Sequence, residues 1–456
     1  MKKFNISEVI DSLGVNRFTW HIFFLIGLAM VFDGFDYMIV SYTMPQIAIE
    51  WGLTAVQKGS LSSWSLIGLI FGGAIAGIVS DKIGRRKTLI YSIAAYSILT
   101  VPIFFVHSFE AFAFFRILTG VGLGACIPVV ATTLSEFVPT KRRAVFITFG
   151  MAWMIVGWVL AGVVATFLVP RLGWRFCYLL GGIPLLYAVF LYFKMPESIH
   201  WLASKGRKEE AVKALQNAEK IATGRCTDWD SAGLIVPTPP KVVGVKALFS
   251  KEYRTITAGI WIMYFMGCFI VYGINAWLPS LMLEKGLKLS SAYGLAIAQN
   301  CAAIIANCST GFTSEILGRK KNIVMSFIVA AVAIVIMASV GNNFGAILAA
   351  NIFLGFAVNY AITAIQPLIV ESYRTEFRNT GVAWCHAFGR VGGAAAPIVA
   401  GIVIQMKLGY SMSFLFYVIP AIIGTIAALM FVKSETKGKS LDQLAEEQIN
   451  SSVYNS

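Results

Sequence analysis

The sequence predicts an all-α membrane protein with twelve transmembrane helices in two six-helix, pseudo-symmetric halves. Three observations lead there. The 456 residues are 57% hydrophobic and only 13% charged, with a mean hydropathy of +0.73, whereas soluble chains are about 45–50% apolar and about 25% charged. Twelve apolar runs are each long enough to cross a bilayer, which takes roughly 20 residues. A long polar segment, 196–254, divides these runs six and six, and a motif in the first set is repeated in the second. This composition excludes a soluble enzyme, a disordered tail protein and a disulfide scaffold.

The runs are 19–44, 59–80, 88–107, 111–135, 144–168, 174–194, 255–281, 291–314, 322–341, 344–370, 379–405 and 409–432. Each is continuous and about twice the length of a barrel strand, which would alternate strictly over about 10 residues. Residues 1–18 are polar and the first run is too long for a signal core, so no cleavable signal is expected.

Orientation follows from the basic residues. The net charge of +14 alone would suggest nucleic acid or an acidic membrane surface as partner. Of the 37 Lys and Arg, however, 29 fall on the side of the N-terminus, 6 in the opposite loops and 2 inside spans. Both termini and the central loop are therefore expected in the cytoplasm, with the lipid bilayer rather than nucleic acid as the partner of this charge. The division expected is an N-terminal half over 1–195, a cytoplasmic linker with amphipathic helices over 196–254, a C-terminal half over 255–433 and a tail over 434–456.

The seven cysteines are scattered, with no CxxC pair and no metal-ligand spacing. Cys301 and Cys308 lie two helical turns apart, too far for a disulfide. No metal, cofactor, nucleophile–base pair or phosphate loop is expected.

The repeat carries chemistry. Gly77-IVS-Asp81-KI-Gly84-Arg85-Arg86-Lys87 follows the second span, and Gly311-FTS-Glu315-IL-Gly318-Arg319-Lys320-Lys321 follows the eighth, 234 residues later. A second echo matches Glu136, Thr140 and Arg143 to Glu371, Thr375 and Arg378. Gly84 permits a tight turn, and Asp81 can bond Arg groups or a helix N-terminus. Two readings stand: ordinary cytoplasmic-side charge, or a conformational latch formed by Gly77, Asp81, Gly84, Arg85 and Arg86 with Glu315 and Arg319. The loop resembles the signature of the major facilitator superfamily, and Pro196-Glu197-Ser198-Ile199-His200-Trp201-Leu202 and Glu435-Thr436-Lys437-Gly438 are similar to motifs of its sugar-porter-like and organic-ion branches. The resemblance covers the whole chain and implies the major facilitator fold, acting as a monomer.

Ionisable groups at bilayer depth are costly and mark function by default. Asp33 and Asp36 in the first span, Arg116 in the fourth, and His386 and Arg390 in the eleventh qualify. Asp33 and Asp36 are three residues apart and share a helix face. Helical rise places Asp36 and Arg116 about 12 and about 8 Å below the outer edge. Proton coupling by Asp33 or Asp36 and a structural Asp–Arg pair are both open readings; the family often has a coupling arginine at the place of Arg116. Arg390 suits a substrate carboxylate, which a guanidinium grips bidentately.

Asp33-Gly34-Phe35-Asp36, together with Arg378-NT-Gly381-VA-Trp384-C-His386-AF-Gly389-Arg390-V-Gly392-Gly393, resembles the aromatic acid:proton symporter branch. Ala383 stands where that branch usually has Gly, and Arg374 where a proline is common. The seventh-span run Tyr272-Gly273-Ile274-Asn275-Ala276-Trp277-Leu278-Pro279 is similar to nicotinate-type and organic-ion transporters. The resemblance implies a secondary transporter taking up a small, aromatic or other organic monocarboxylate with protons by alternating access. Trp384, His386, Tyr272, Asn275, Asn359 and Gln366 are candidates to join Arg390 at the small organic anion; Phe269, Gln299 and Asn300 are further polar or aromatic liners. A nicotinate, sugar or organic-cation carrier is the alternative within the superfamily, and a non-transporting sensor the alternative outside it.

Overall fold

A computed structural model describes residues 4–235, 245–250, 253–373 and 378–432. The helices are α1 (Ile6–Leu13), α2 (Arg17–Trp51), α3 (Ala55–Ile83), α4 (Arg85–Thr100), α5 (Phe109–Phe137), α6 (Arg143–Leu172), α7 (Arg175–Leu179), α8 (Ile183–Lys194), α9 (Ile199–Ser204), α10 (Lys208–Thr223), α11 (Arg254–Glu284), α12 (Leu289–Leu317), α13 (Arg319–Ser339), α14 (Phe344–Ala364), α15 (Gln366–Glu371), α16 (Arg378–Gln405), α17 (Met412–Leu415) and α18 (Val418–Phe431). Among the described residues twelve helical segments are long and apolar enough to cross a membrane, at the positions the apolar runs predict. A helix satisfies every backbone N–H and C=O internally, which hydrocarbon surroundings demand.

The observed helices overrun the apolar stretches at their ends. The first extends to Trp51, past the expected end at 44 and through Pro45. Proline also explains the interruptions. The third span passes from α4 into a 3₁₀ turn, Val101–Phe105, with Pro102 at its start; the sixth is broken into α7 and α8 by a 3₁₀ turn at Leu180–Gly182 ahead of Pro184. Such a ring removes one helical N–H and crowds the preceding turn. Reversals between α3 and α4 and between α12 and α13 use Gly84 (φ +100°) and Gly318 (φ +82°), a left-handed backbone that other residues adopt only with strain.

The chain folds as two compact units. The first comprises Met1–Ile39 with Ile67–Pro239, the second Val40–Leu66 with Pro240–Ser456. Residues 40–66, which belong to the N-terminal half by sequence order, thus pack with the C-terminal segments.

In the first unit, α2 and α6 approach backbone to backbone. A Cβ at Gly34 would fall 2.0 Å from the Met154 carbonyl oxygen, and one at Gly157 would fall 2.1 Å from that of Val31. The polar side of this unit carries its own small assembly. A parallel two-strand pair, β1 (Phe4–Asn5) and β2 (Leu234–Ile235), ties the N-terminal segment to the linker. Ile6, Val9 and Ile10 of α1 share a core with Ala211, Val212, Leu215 and Ala218 of the amphipathic α10. Asp11 accepts from the N–H and hydroxyl of Thr140 at 2.6 and 2.9 Å, capping the turn before α6.

The second unit packs α11 against α16 and α18, and α12 against α14. Residues 40–66 join it through the Tyr293 hydroxyl, which donates to the Tyr42 carbonyl at 2.5 Å. Lys58 pairs with Glu284 at 3.6 Å and lies over the Trp277 ring at 5.0 Å. The Trp277 indole donates to the Pro397 carbonyl at 2.9 Å, fixing α11 to α16. The expected tail, with Glu435-Thr436-Lys437-Gly438, lies outside the described residues, as does Arg374.

Candidate functional site

The first unit places Asp36 and Arg116 together, as their depths in the sequence suggest. Arg116 Nη1 donates to Asp36 Oδ2 at 2.8 Å, and Nη2 to the Asp36 carbonyl at 3.1 Å. Thr100 donates its hydroxyl to Asp36 Oδ1 at 2.8 Å. Arg116 is fully buried and Asp36 is 2% exposed. Both oxygens of Asp36 are thereby engaged, and a charge that would be prohibitive alone is neutralised in place. Sequence reasoning missed Thr100, because its 64-residue separation from Asp36 leaves no local signal. Asp33, also 2% exposed, lies one turn earlier on α2 in a region shared with the buried Tyr96 and Cys126.

The second unit holds the remaining candidates on α11, α12, α14, α15 and α16. His386 Nε2 and Gln366 Oε1 are 3.1 Å apart, joining two expected residues across 20 positions. Tyr264 stacks on the His386 ring, centroids 5.0 Å apart and planes 16° from parallel. Arg390, one turn further along α16, makes no hydrogen bond or ion pair among the described residues. Its charge reaches His386, Tyr264 and Cys268. Tyr272 packs where a Cβ at Gly393 would stand, 2.6 Å from the tyrosine Cδ2. Asn275 donates to the Val271 carbonyl at 2.9 Å and accepts from Gln299 at 3.0 Å. Asn359 donates to the Gly355 carbonyl at 2.9 Å.

Trp384 does not join this cluster. It is 45% exposed and shares a helix face with Phe388 and Val391, also exposed, while His386 and Arg390 lie on another face. Tyr264, by contrast, was not singled out by the sequence, since one more aromatic in an apolar helix carries no signal.

The repeated loops form matching ion-pair networks, each within its own unit. Arg85 binds Asp81 at 2.9 Å, Glu136 at 3.2 Å and the Ser80 carbonyl at 3.1 Å. Arg319 binds Glu315 at 2.7 Å, Glu371 at 2.8 Å and the Ser314 carbonyl at 3.2 Å. Asp81 and Glu315 are exposed, whereas Glu136 and Glu371 are largely covered. Exposed pairs contribute little, so the covered pair is the stronger arm of each network. Arg85 rather than Arg86 makes the ion pairs; Arg86 donates to the Tyr192 carbonyl and lies 5.2 Å over its ring. Gly77 faces open space.

Glu197, from the segment after the sixth span, adds a further contact. Its Oε1 accepts from the backbone N–H groups of Arg85 and Arg86 at 2.8 and 3.1 Å, closing the N-terminus of α4. A Cβ at residue 84 would fall 2.3 Å from Glu197 Oε2, so the turn glycine also makes room for this carboxylate. Nearby, burial and the positive charges of Arg143 and Arg85 hold the His200 imidazole below its ordinary range. Among the described residues no cluster of His, Cys, Asp or Glu could hold a metal ion.

Comparison with known proteins places these features in a family. The Major Facilitator Superfamily model matches residues 26–306 and 289–453. The chain is 28% identical to a gallate transporter of Pseudomonas putida over 93% of this chain and 94% of that protein. It is 28% identical to the niacin transporter NiaP of Acinetobacter baylyi, covering 95% and 98% of the two chains, and 28% identical to the 4-hydroxybenzoate transporter PcaK of the same species, covering 93% of each. Among solved structures, the inward open xylose transporter XylE from E. coli superposes with a TM-score of 0.72 at 19% identity, over 94% of this chain and 99% of that one. An inward-facing bacterial homolog of the human lysosomal transporter Spinster superposes with a TM-score of 0.71 at 16% identity, over 93% of this chain and 100% of that one. The protein belongs to the major facilitator superfamily: it is a multi-pass integral membrane protein and a secondary transporter, not an enzyme.

Proposed function

We propose that this transporter takes up a small aromatic monocarboxylate together with protons, by alternating access. Arg390 carries the reading. It is a guanidinium within a membrane-spanning helix with no carboxylate partner among the described residues, set beside stacked aromatic rings and the His386–Gln366 pair. A cation in that position favours an anionic ligand, and a planar fork matches a carboxylate. The substrates for which the relatives are named, gallate and 4-hydroxybenzoate among them, are acids of this kind.

Proton coupling is assigned to Asp33. Asp36 is bound by Arg116 and Thr100, and Asp33, the other buried carboxyl of α2, is the one we assign to bind and release a proton. The Arg85 and Arg319 networks serve as the conformational latches, with Glu136 and Glu371 as their covered partners. The distribution of basic residues supports a plasma membrane orientation, in bacteria the inner membrane, with both termini in the cytoplasm. One chain carries both halves, so the unit of transport is a monomer.

Purified protein in liposomes should accumulate a benzoate-type acid when the lumen is alkaline. Asp33→Asn should abolish the dependence on the pH gradient while leaving exchange of the acid intact. Uptake that ignores the gradient in the wild type would remove the coupling, and no uptake of any aromatic acid would remove the substrate reading.

A further inference from the structure

We infer that residues 40–66, with the facing ends of α11, α12 and α16, form an outer gate pinned shut by Lys58 and Glu284, and that an incoming carboxylate opens it by taking Lys58 from Glu284. This rests on the anionic substrate proposed above and names a residue that meets the anion before Arg390 does.

The joint is closed along its backbones. A Cβ at Gly59 would fall 2.1 Å from the Pro397 carbonyl oxygen, and one at Gly401 would fall 2.5 Å from that of Ala55. The Trp277 ring closes on the same place, 3.2 Å from the Gly59 position, and the Tyr42 and Tyr293 rings meet edge to face at 5.3 Å. Gly59 lies 4 residues in from Ala55, Trp277 7 in from Glu284 and Pro397 8 in from Gln405, which by helical rise is about 6, about 10 and about 12 Å from the ends of their spans. Arg390 is deeper, 15 residues in from Gln405, about 22 Å. On the orientation proposed above these ends face outward, so the joint stands between the outer medium and Arg390.

Its polar content suits a face that parts. Ser62 and Ser63 follow Gly59 on one face of α3. They are 3% and 0% exposed, and neither hydroxyl has a hydrogen-bond partner. A face that stays packed is apolar or has its polar groups paired. A face that water reaches in another state of the protein recovers these bonds there, which lowers the cost of opening.

The pin is a single contact. Lys58 Nζ is 3.6 Å from Glu284 Oε1 and 5.0 Å over the Trp277 ring. The two side chains are 14% and 49% exposed. Glu284 can therefore return to water at little cost, whereas the covered ammonium of Lys58 needs a counter-ion. A carboxylate from outside supplies one; an ester or a cation does not. Lys285 and Lys288 stand at the same end of the chain's fold and add to a local positive field that steers anions there. Because the anion pairs with Lys58 only once Glu284 has let go, it binds the open gate better than the closed one and shifts the population toward it.

The test places a cysteine on the hidden face. Right-side-out membrane vesicles carrying Ser63→Cys are treated with a membrane-impermeant maleimide, with the wild type as background. Labelling should be slow at rest, and external 4-hydroxybenzoate should speed it about fivefold or more while its methyl ester leaves it unchanged. Ser62→Cys repeats the measurement should Ser63→Cys fail to insert. Adding Glu284→Gln should make labelling fast without acid. Adding Lys58→Met should do the same and leave the rate indifferent to acid. Adding Arg390→Met should leave the effect of the acid in place. Slow labelling in Glu284→Gln, equal effects of acid and ester, or an acid effect that survives Lys58→Met would overturn the inference. An acid effect lost in Arg390→Met would also overturn it, with the anion then acting from the inner site and the carboxylate reading left standing. Conversely, labelling that meets every expectation while Arg390→Met binds the acid as tightly as the wild type would support the gate and remove the Arg390 reading.

Discussion

Two arginines sit inside the membrane-spanning helices of this protein, and their surroundings differ in kind. Arg116 in the first unit is fully buried and bound twice to Asp36, by side chain and by main chain. Arg390 in the second unit is only partly buried and has aromatic rings, a histidine and a thiol around it, but no carboxylate among the described residues. The first charge is neutralised by the fold itself. The second has no such partner among the described residues, and on the function proposed above the substrate carboxylate supplies it. A buried charge therefore indicates ligand binding only where its partner is missing, and the presence of an arginine in a helix does not by itself distinguish the two cases.

The comparison can be broken by exchanging the expected phenotypes. Arg116→Met leaves Asp36 as an uncompensated buried carboxylate, and removal of one partner of such a pair costs about 3–5 kcal/mol. Thermal melts in detergent should fall sharply, and Asp36→Asn added to Arg116→Met should restore part of the loss, because contacting residues are not additive. Arg390→Met should behave oppositely. Its melt without ligand should stay within a few degrees of the wild type, while half-saturating acid concentration should rise about 30-fold, the equivalent of about 2 kcal/mol for a charge-assisted bond. A collapse of stability in Arg390→Met would place it with Arg116 and end the distinction.

The Arg85 and Arg319 networks sharpen the same lesson on a smaller scale. Glu371→Gln removes the covered partner of Arg319 and should lower stability by about 1 kcal/mol or more, whereas Glu315→Gln, at an exposed pair, should change it by less than about 1 kcal/mol. Equal melts for the two would show that coverage does not set their weight. The smallest effect concerns His200. Its folded-state pKa is depressed, so protonation favours the unfolded state. The contribution is fully present above the ordinary histidine value and is lost as pH falls from about 6.5 downward. A pH series of melts should show this decline in the wild type and a shallower one in His200→Gln.

The twelve spans were legible because each is written in a continuous stretch of apolar residues, and lipid leaves the backbone no alternative to a helix. Their ends were less so: Trp51 and Glu284 end helices whose last turns are not part of the apolar run. The Asp36–Arg116 pair could be read from depth alone, and the two arginine networks from the 234-residue echo. Thr100, Glu197 and Tyr264 could not be assigned roles. Each acquires its role from a segment distant in sequence, and an isolated threonine, glutamate or tyrosine carries no period or spacing that points there. Trp384 shows the converse. Its proximity to Arg390 in sequence suggested a shared site, but a helix turns neighbouring residues onto different faces. The direction of the Gln299 carboxamide was beyond sequence altogether, because it depends on hydrogen bonds running from Val271 through Asn275 across two helices.

The central claim is that Arg390 is held open for a substrate carboxylate. Ligand-induced thermal stabilisation tests it with the fewest steps, because a molecule that binds only the folded state raises its apparent stability. We predict that 4-hydroxybenzoate stabilises the wild type in a concentration-dependent way, that its methyl ester does not, and that Arg390→Met needs about 30-fold more acid for the same shift while Arg390→Lys needs a smaller increase. Stabilisation by the ester equal to that by the acid, or an undiminished response in Arg390→Met, would contradict the account.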